Sequence, residues 1–141
     1  MIEKKNFYIN GKWVSPVKPN DFDVIDPSTE EAFAIISLGS VEDTDKAIDA
    51  AKKAFETWKE TTKEERLKLL QKFDEIYNRR WDEMVTAQSK EMGAPLDFAS
   101  ETHTKMGADI TKNIIKILKD FNFEHQFDVN SNNHIRHEPI G

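Results

Sequence analysis

The stretch Ala32-Phe33-Ala34-Ile35-Ile36-Ser37-Leu38-Gly39-Ser40-Val41-Glu42-Asp43 is where the chain changes its period. Residues 32–37 are dense enough in apolar side chains to form an extended run lying against a packed layer. Beyond Ser40 the apolar residues recur at steps of three and four: Ile48, Ala51, Phe55 and Trp58 share one face, with Asp49, Lys52, Lys53 and Glu56 on the other. That spacing predicts an amphipathic helix. Ser40 and Asp43 stand at the spacing of an N-cap and its third helical residue, where a hydroxyl accepts from the backbone N–H, although Asp is shorter than the preferred Glu. A strand that runs into a capped helix places the chain in the α+β or α/β class.

Upstream, Phe7-Tyr8-Ile9-Asn10-Gly11-Lys12-Trp13-Val14 sets two aromatic and β-branched runs around an Asn-Gly pair. These two residues tolerate the positive φ of a two-residue type I′ turn, so a small hairpin is predicted. Phe22-Asp23-Val24-Ile25-Asp26 alternates as a strand and must stop at Pro27, which has no N–H to donate. Downstream, Thr62 with Glu65 makes a second capping box. Leu69-Leu70, Phe73, Ile76-Tyr77, Trp81 and Met84-Val85 follow it as one continuous apolar stripe, ended by Gly93 as the left-handed residue and by Pro95. A third helix is predicted from Pro95 to Phe121 through Phe98, Met106, Ile110, Ile114, Ile117-Leu118 and Phe121, with Gly107 its weak point. Gln126-Phe127-Asp128-Val129 and His134-Ile135-Arg136-His137-Glu138 then alternate on either side of the loop-forming Asn130-Ser131-Asn132-Asn133, predicting a second two-stranded unit.

Composition limits what such a chain can do. Its 141 residues are enough for one domain with a real core. Lys and Arg number 20 against 26 Asp and Glu, a net charge of -6, which opposes phosphate backbones and anionic lipid. Nucleic acid and membrane are therefore not expected partners. The longest apolar run, Ala32 to Ile36, falls far short of the roughly 20 residues that span a bilayer, and a cytoplasmic location is expected. There is no Cys, hence no disulfide, thiolate metal site or cysteine nucleophile within these residues.

Little reactive chemistry can be read from spacing. Gly11, Gly39, Gly93, Gly107 and Gly141 stand singly, so no phosphate-cradling fingerprint can be written. His134 and His137, with His125 and Glu138 nearby, invite a metal reading, but an odd spacing on extended backbone sends the two imidazoles to opposite faces. They are read as solvent-facing strand histidines. His103, between Thr102 and Thr104, is read as surface, and Arg79-Arg80-Trp81, followed by Asp82-Glu83, as a solvated helix face. Trp13, Trp58 and Trp81 are read as core or hairpin aromatics.

The local signals nevertheless follow a familiar order. Tyr8-Ile9-Asn10-Gly11-Lys12-Trp13-Val14, Val24-Ile25-Asp26-Pro27-Ser28-Thr29, Val41-Glu42-Asp43 leading into Ala47-Ile48-Asp49-Ala50-Ala51-Lys52-Lys53-Ala54-Phe55 with Trp58, Glu65-Arg66 before Leu69-Leu70, Glu91-Met92-Gly93-Ala94-Pro95 and Glu138-Pro139-Ile140-Gly141 together resemble the N-terminal segment of the aldehyde dehydrogenase superfamily, in a bacterial-type member. Three positions depart from the family's commonest pattern: Asp26 replaces Asn before Pro27, Glu30 stands where a turn Gly is frequent, and Ala94 replaces a frequent Lys. Without Gly at position 30 the turn is expected to avoid positive φ there.

The resemblance implies an enzyme that oxidises an aldehyde to a carboxylic acid with NAD or NADP, through attack of a cysteine thiolate and hydride transfer from the thiohemiacetal. The catalytic residues and the nucleotide loop would lie in segments after the Pro-Ile-Gly motif, so no catalytic or cofactor-binding residue is expected here and the chain alone should be inactive. It also implies that residues 1–125 begin a Rossmann-like nucleotide-binding domain, that 126–141 open an oligomerisation strand element, and that the enzyme is a homo-oligomer, a dimer or tetramer. A structural Na⁺ or K⁺ would be held by the carbonyls of Val24 and Ile25 and the carboxylate of Glu91. The competing expectation is a free-standing helical interaction module descended from such an enzyme.

Overall fold

The computed structural model describes residues 1–129 and 132–140. Strand β1 (Ile2–Lys4) runs parallel to β5 (Glu31–Ser37), which pairs antiparallel with β4 (Asp21–Asp26), giving a sheet of order β1-β5-β4. The expected hairpin is β2 (Phe7–Ile9) and β3 (Lys12–Val14); Asn10 and Gly11 take φ of 52° and 73°, as a type I′ turn demands. Tyr8 and Trp13 face each other across it, edge to face at 5.2 Å. Strand β1 had no signal in the sequence: three residues with one apolar side chain carry too little alternation to register.

Helix α1 (Val41–Trp58) starts on the anticipated capping box, with Ser40 Oγ accepting from the Asp43 N–H and the Asp43 carboxylate accepting from the Ser40 N–H. Helix α2 (Lys63–Arg79) starts on the other, Thr62 with Glu65. The predicted continuous second helix is broken in two. Arg80 leaves the helical region at φ -100°, ψ 24°, and α3 (Trp81–Met92) begins at once. No Gly or Pro marks the break. Three tertiary and local bonds surround it: Asn78 Nδ2 donates to the Asp74 carbonyl at 2.6 Å, the Arg80 guanidinium grips Glu83 at 2.7 Å, and Trp81 Nε1 reaches Ser100 Oγ at 3.0 Å. Gly93, at φ 70°, ends α3 as expected.

The predicted third helix is present with an interruption. One short turn, α4 (Leu96–Phe98), passes through a π-helical segment (Ala99–Thr104) into α5 (Lys105–Asp120). Helix α2 buttresses this segment, the Tyr77 hydroxyl donating to the Thr104 carbonyl at 3.1 Å. Gly107 is what lets Tyr77 in: a Cβ there would lie 2.5 Å from the Tyr77 hydroxyl. At the far end Lys63 Nζ donates to the carbonyls of Lys119 and Phe121, so α2 and α5 pack antiparallel.

The final strand pair is β6 (Glu124–Gln126) and β7 (His134–Arg136). The sequence placed the first strand at 126–129; it lies two residues earlier, and Phe127 and Val129 are exposed. Of the intervening loop, Asn130 and Ser131 lie outside the described residues, as does Gly141.

The turn at 27–30 also departs from expectation. Glu30 adopts φ 59°, because its N–H and that of Thr29 both reach back to the Asp26 carbonyl and the last residue of such a four-residue loop must turn left-handed to re-enter β5. The deeply buried apolar side chains among the described residues are small: Ala34, Ala99 and Ala108.

Candidate functional site

Two of the three residues suggested for a cation, Val24 and Glu91, line one groove, where α3 contacts the sheet. Strand β5 carries one extra residue, Phe33, opposite the step from Val24 to Ile25, because Val24 pairs with Ala34 and Ile25 with Ala32. Such a bulge interrupts the ladder and bends the strand. Two successive residues, Phe33 and Ala34, then reach the same groove, which a regular pleat would forbid. The groove, of about 600 Å³, has Ile2, Val24 and Ala34 on the sheet side and Ala87 and Glu91 on the α3 side. Val24 and Glu91 are thus brought together across one cleft. The Ile25 side chain is not among its lining and is 47% exposed, so only its main chain could take part.

The C-terminal end of α3 is held against the β4–β5 turn by close approach: a Cβ on Gly93 would sit 3.2 Å from Pro27 Cβ. The Gly93 N–H donates to the Ser89 carbonyl at 2.9 Å, and Ser89 Oγ donates to the Ala94 carbonyl at 2.8 Å. Across the turn, Asp26 Oδ1 accepts from the Ser28 hydroxyl at 2.6 Å and from its N–H at 2.9 Å. These bonds, the Ser28 hydroxyl first, hold the Asp26 carboxyl below its ordinary pKa, and the positive charge of Lys90 on α3 adds to them. Glu91 is an exposed helix-end carboxylate beside an interrupted ladder, while Lys4 and Lys90 also line the groove and their positive charge opposes a cation there.

A second polar centre lies at the start of α1. The buried Asp43 carboxylate accepts from the Ser40 hydroxyl at 2.7 Å, from the Ser40 N–H at 2.9 Å and from the Val17 N–H at 2.9 Å. Those bonds, the hydroxyl's the largest, lower its pKa. The sequence showed the Ser40 partnership but not Val17, 26 residues away.

The described glycines stand apart, in a turn (Gly11), a loop (Gly39), a helix end (Gly93) and a helix interior (Gly107), and among the described residues no helix start is flanked by a cluster of them. Among the described residues, no group of three His, Asp or Glu converges as a metal site, and no helix is long and apolar enough to cross a membrane. Arg80 pairs with Glu83 on the surface, as a solvated helix face would. His103 is not a surface residue: its ring is half-buried, packed edge-on against Phe98 at 4.9 Å, with Nδ1 enclosed and without a protein hydrogen-bond partner. The π turn rotates it inward, which a straight helical wheel cannot show. Trp81 is half-buried, but Trp13 and Trp58 are exposed, the latter under the Arg66 guanidinium at 5.8 Å.

Comparison with known proteins places this arrangement. The profile of the aldehyde dehydrogenase family matches residues 13–141. The chain is 38% identical over 125 residues to 3-succinoylsemialdehyde-pyridine dehydrogenase of a Pseudomonas species, covering 88% of this chain and 26% of that protein. The crystal structure of an aldehyde dehydrogenase from Bartonella henselae superposes with a TM-score of 0.91 at 50% identity, covering 94% of this chain and 28% of that one. Aldehyde dehydrogenase C of Pseudomonas syringae, in complex with NAD⁺ and octanal, gives 0.85 at 31% identity, over 88% of this chain and 26% of its own. The chain spans about a quarter of the length of these relatives, in their N-terminal region. Matched by one family's profile from residue 13 to residue 141, and following the backbone of a half-identical bacterial member, the chain belongs to the aldehyde dehydrogenase family.

Proposed function

We propose that these 141 residues are the N-terminal scaffold of an NAD(P)-dependent aldehyde dehydrogenase that oxidises an aldehyde to a carboxylic acid. The observation that supports this best is the pairing of a family match across nearly the whole chain with the absence of any cysteine. A family enzyme whose nucleophile is a thiolate must draw it from residues other than these, together with the oxyanion-stabilising and nucleotide-binding groups. What this segment offers is position: a bulged sheet with α3 laid across it, and a pair of antiparallel helices with apolar faces turned outward, ready to lie against a nucleotide-binding domain of Rossmann-like build. In this reading residues 1–125 belong to that domain and 126–141 open a strand element through which subunits assemble, as a dimer or tetramer.

The reading extends to the groove. Val24 and Ile25, through their carbonyls beside the bulge, and Glu91, through its carboxylate, hold Na⁺ or K⁺ and so fasten α3 to β4. In the longer protein carrying this segment, aldehyde-dependent reduction of NAD⁺ or NADP⁺ is the test of activity; its absence with a cysteine-containing, folded protein would refute the reading. Glu91→Gln should abolish the dependence of that protein's thermal stability on monovalent cations. An unchanged dependence would remove the cation assignment and leave the enzyme assignment standing.

A further inference from the structure

The histidines of the last strand pair have a relationship that spacing along the chain conceals. In the β6–β7 register, Glu124 pairs with Arg136, His125 with Ile135 and Gln126 with His134. Residues directly opposite each other point to the same face, so His125 and Ile135 share one side while Gln126 and His134 share the other. The ladder continues one step past β7, where the His137 N–H donates to the Phe123 carbonyl at 2.8 Å. His137 therefore lies on the His125 side, diagonally across, and the two rings stack with centroids 5.7 Å apart and planes 25° from parallel. The odd spacing of His134 and His137 does separate those two; what it hides is the cross-strand partner of His137.

We propose that His125 and His137 form a two-imidazole site for a divalent transition-metal ion on this face of the strand pair. With metal–nitrogen bonds of about 2.0–2.1 Å, two imidazoles sharing one ion have ring centroids roughly 5 Å apart at a tetrahedral angle and roughly 6 Å apart in line. The observed 5.7 Å lies inside that interval. Both rings are exposed, so each turns about its Cβ–Cγ bond to direct a nitrogen at the ion, and water fills the remaining positions. His137 lies beside Phe121, edge-on at 5.5 Å, itself packed on Phe123 at 4.8 Å.

The surroundings decide the class of ion. Glu124 and Glu138 are drawn to Arg136, whose Nε lies 3.1 and 3.3 Å from their carboxylates, on the opposite face from the stacked rings. Among the described residues the ligand set is thus neutral nitrogen without carboxylate, which suits Ni²⁺, Cu²⁺ and Zn²⁺ and rejects Mg²⁺ and Ca²⁺. An ion there joins the two strands, a clip whose existence is independent of the dehydrogenase reading.

The test is calorimetric titration of the tag-free longer protein carrying this segment, its thiols alkylated beforehand, with NiCl₂, and separately with ZnCl₂, at neutral pH. One saturable site is expected, silent to MgCl₂ and lost on acidification, because only neutral imidazole ligates. His125→Gln and His137→Gln should each weaken binding at least tenfold, while His134→Gln leaves it unchanged; circular dichroism checks that all three keep the parent's fold. No saturable binding, binding that survives both single variants, or an equal loss in His134→Gln would overturn the site.

Discussion

The junction of β5 with α1 and the paired helices α2 and α5 are built from the same chain to opposite ends. At the junction, Ala34, Ser37 and Asp43 are buried and the polar ones among them are answered: Ser37 Oγ accepts from the Asn20 N–H at 3.1 Å, and Asp43 binds Ser40 and Val17. On the helices, Leu69, Phe73, Ile110, Ile114 and Ile117 are between 47% and 63% exposed. A junction of this kind is complete in itself. Helical faces with large aliphatic and aromatic residues turned to water are built for something laid against them. The difference shows that order within this segment comes from polar ties and close backbone approach, whereas its apolar surface is directed outward.

The largest effect expected from this contrast is on the isolated chain. Burying one Leu, Ile or Phe stabilises by roughly 1.5–3 kcal/mol, so five left half in water forgo much of a typical margin of about 5–15 kcal/mol. The 141-residue chain should show helical circular dichroism, a shallow thermal transition and self-association in light scattering. Replacing Phe73 and Ile117 with Glu should make it monomeric. A sharp melt of a monomeric parent chain would erase the contrast and favour the free-standing interaction module.

Next in size is the contact that ties α2 to the π segment. Gly107→Ala forces a methyl group against the Tyr77 hydroxyl and should cost about 1–3 kcal/mol in denaturant unfolding. Tyr77→Phe removes the offending oxygen, so in the double variant the two costs should be far from additive. Additive costs would mean that Gly107 is there for another reason.

At the junction, Ser40→Ala should cost about 1 kcal/mol through the lost cap. Acid should act on the same spot. The Asp43 carboxyl is held below its ordinary value in the fold, so its contribution is present above the unfolded-state value near pH 4 and is lost as pH falls through the lower folded value. Asp43→Asn should therefore flatten the acid limb of the stability curve; an unchanged limb would assign that limb to other carboxylates.

The smallest effect is a gain. Glu30 stands at φ 59°, and Glu30→Gly should stabilise by about 0.5–1 kcal/mol by removing the left-handed penalty. A loss would show that the Glu30 side chain contributes more than its backbone costs.

What could be read from the sequence divides along the same line. Asn10-Gly11, the Ser40–Asp43 and Thr62–Glu65 boxes and Gly93 all emerged where expected, because each is decided by a few adjacent residues. The break at Arg80, the π turn that carries His103 inward and the bulge at Phe33 were not legible, since each depends on partners far along the chain: Trp81 on Ser100, Tyr77 on the Thr104 carbonyl, β4 on β5. Glu30 was misjudged for a related reason, because loop length rather than residue preference set its φ. Of the candidate site, the residues Val24 and Glu91 were legible only through family resemblance; that they line one groove is a fact of the sheet and α3.

The most direct test of the central proposal, that this segment is scaffold and the chemistry is supplied by other residues, is the rate of NAD(P)H formation from short- and long-chain aldehydes by the purified 141-residue chain and by a longer protein containing it. The account predicts no rate above a heat-killed control for the chain, since it has no thiolate to form the covalent intermediate, and aldehyde-dependent turnover for the longer protein. Sustained turnover by the 141-residue chain itself would contradict it.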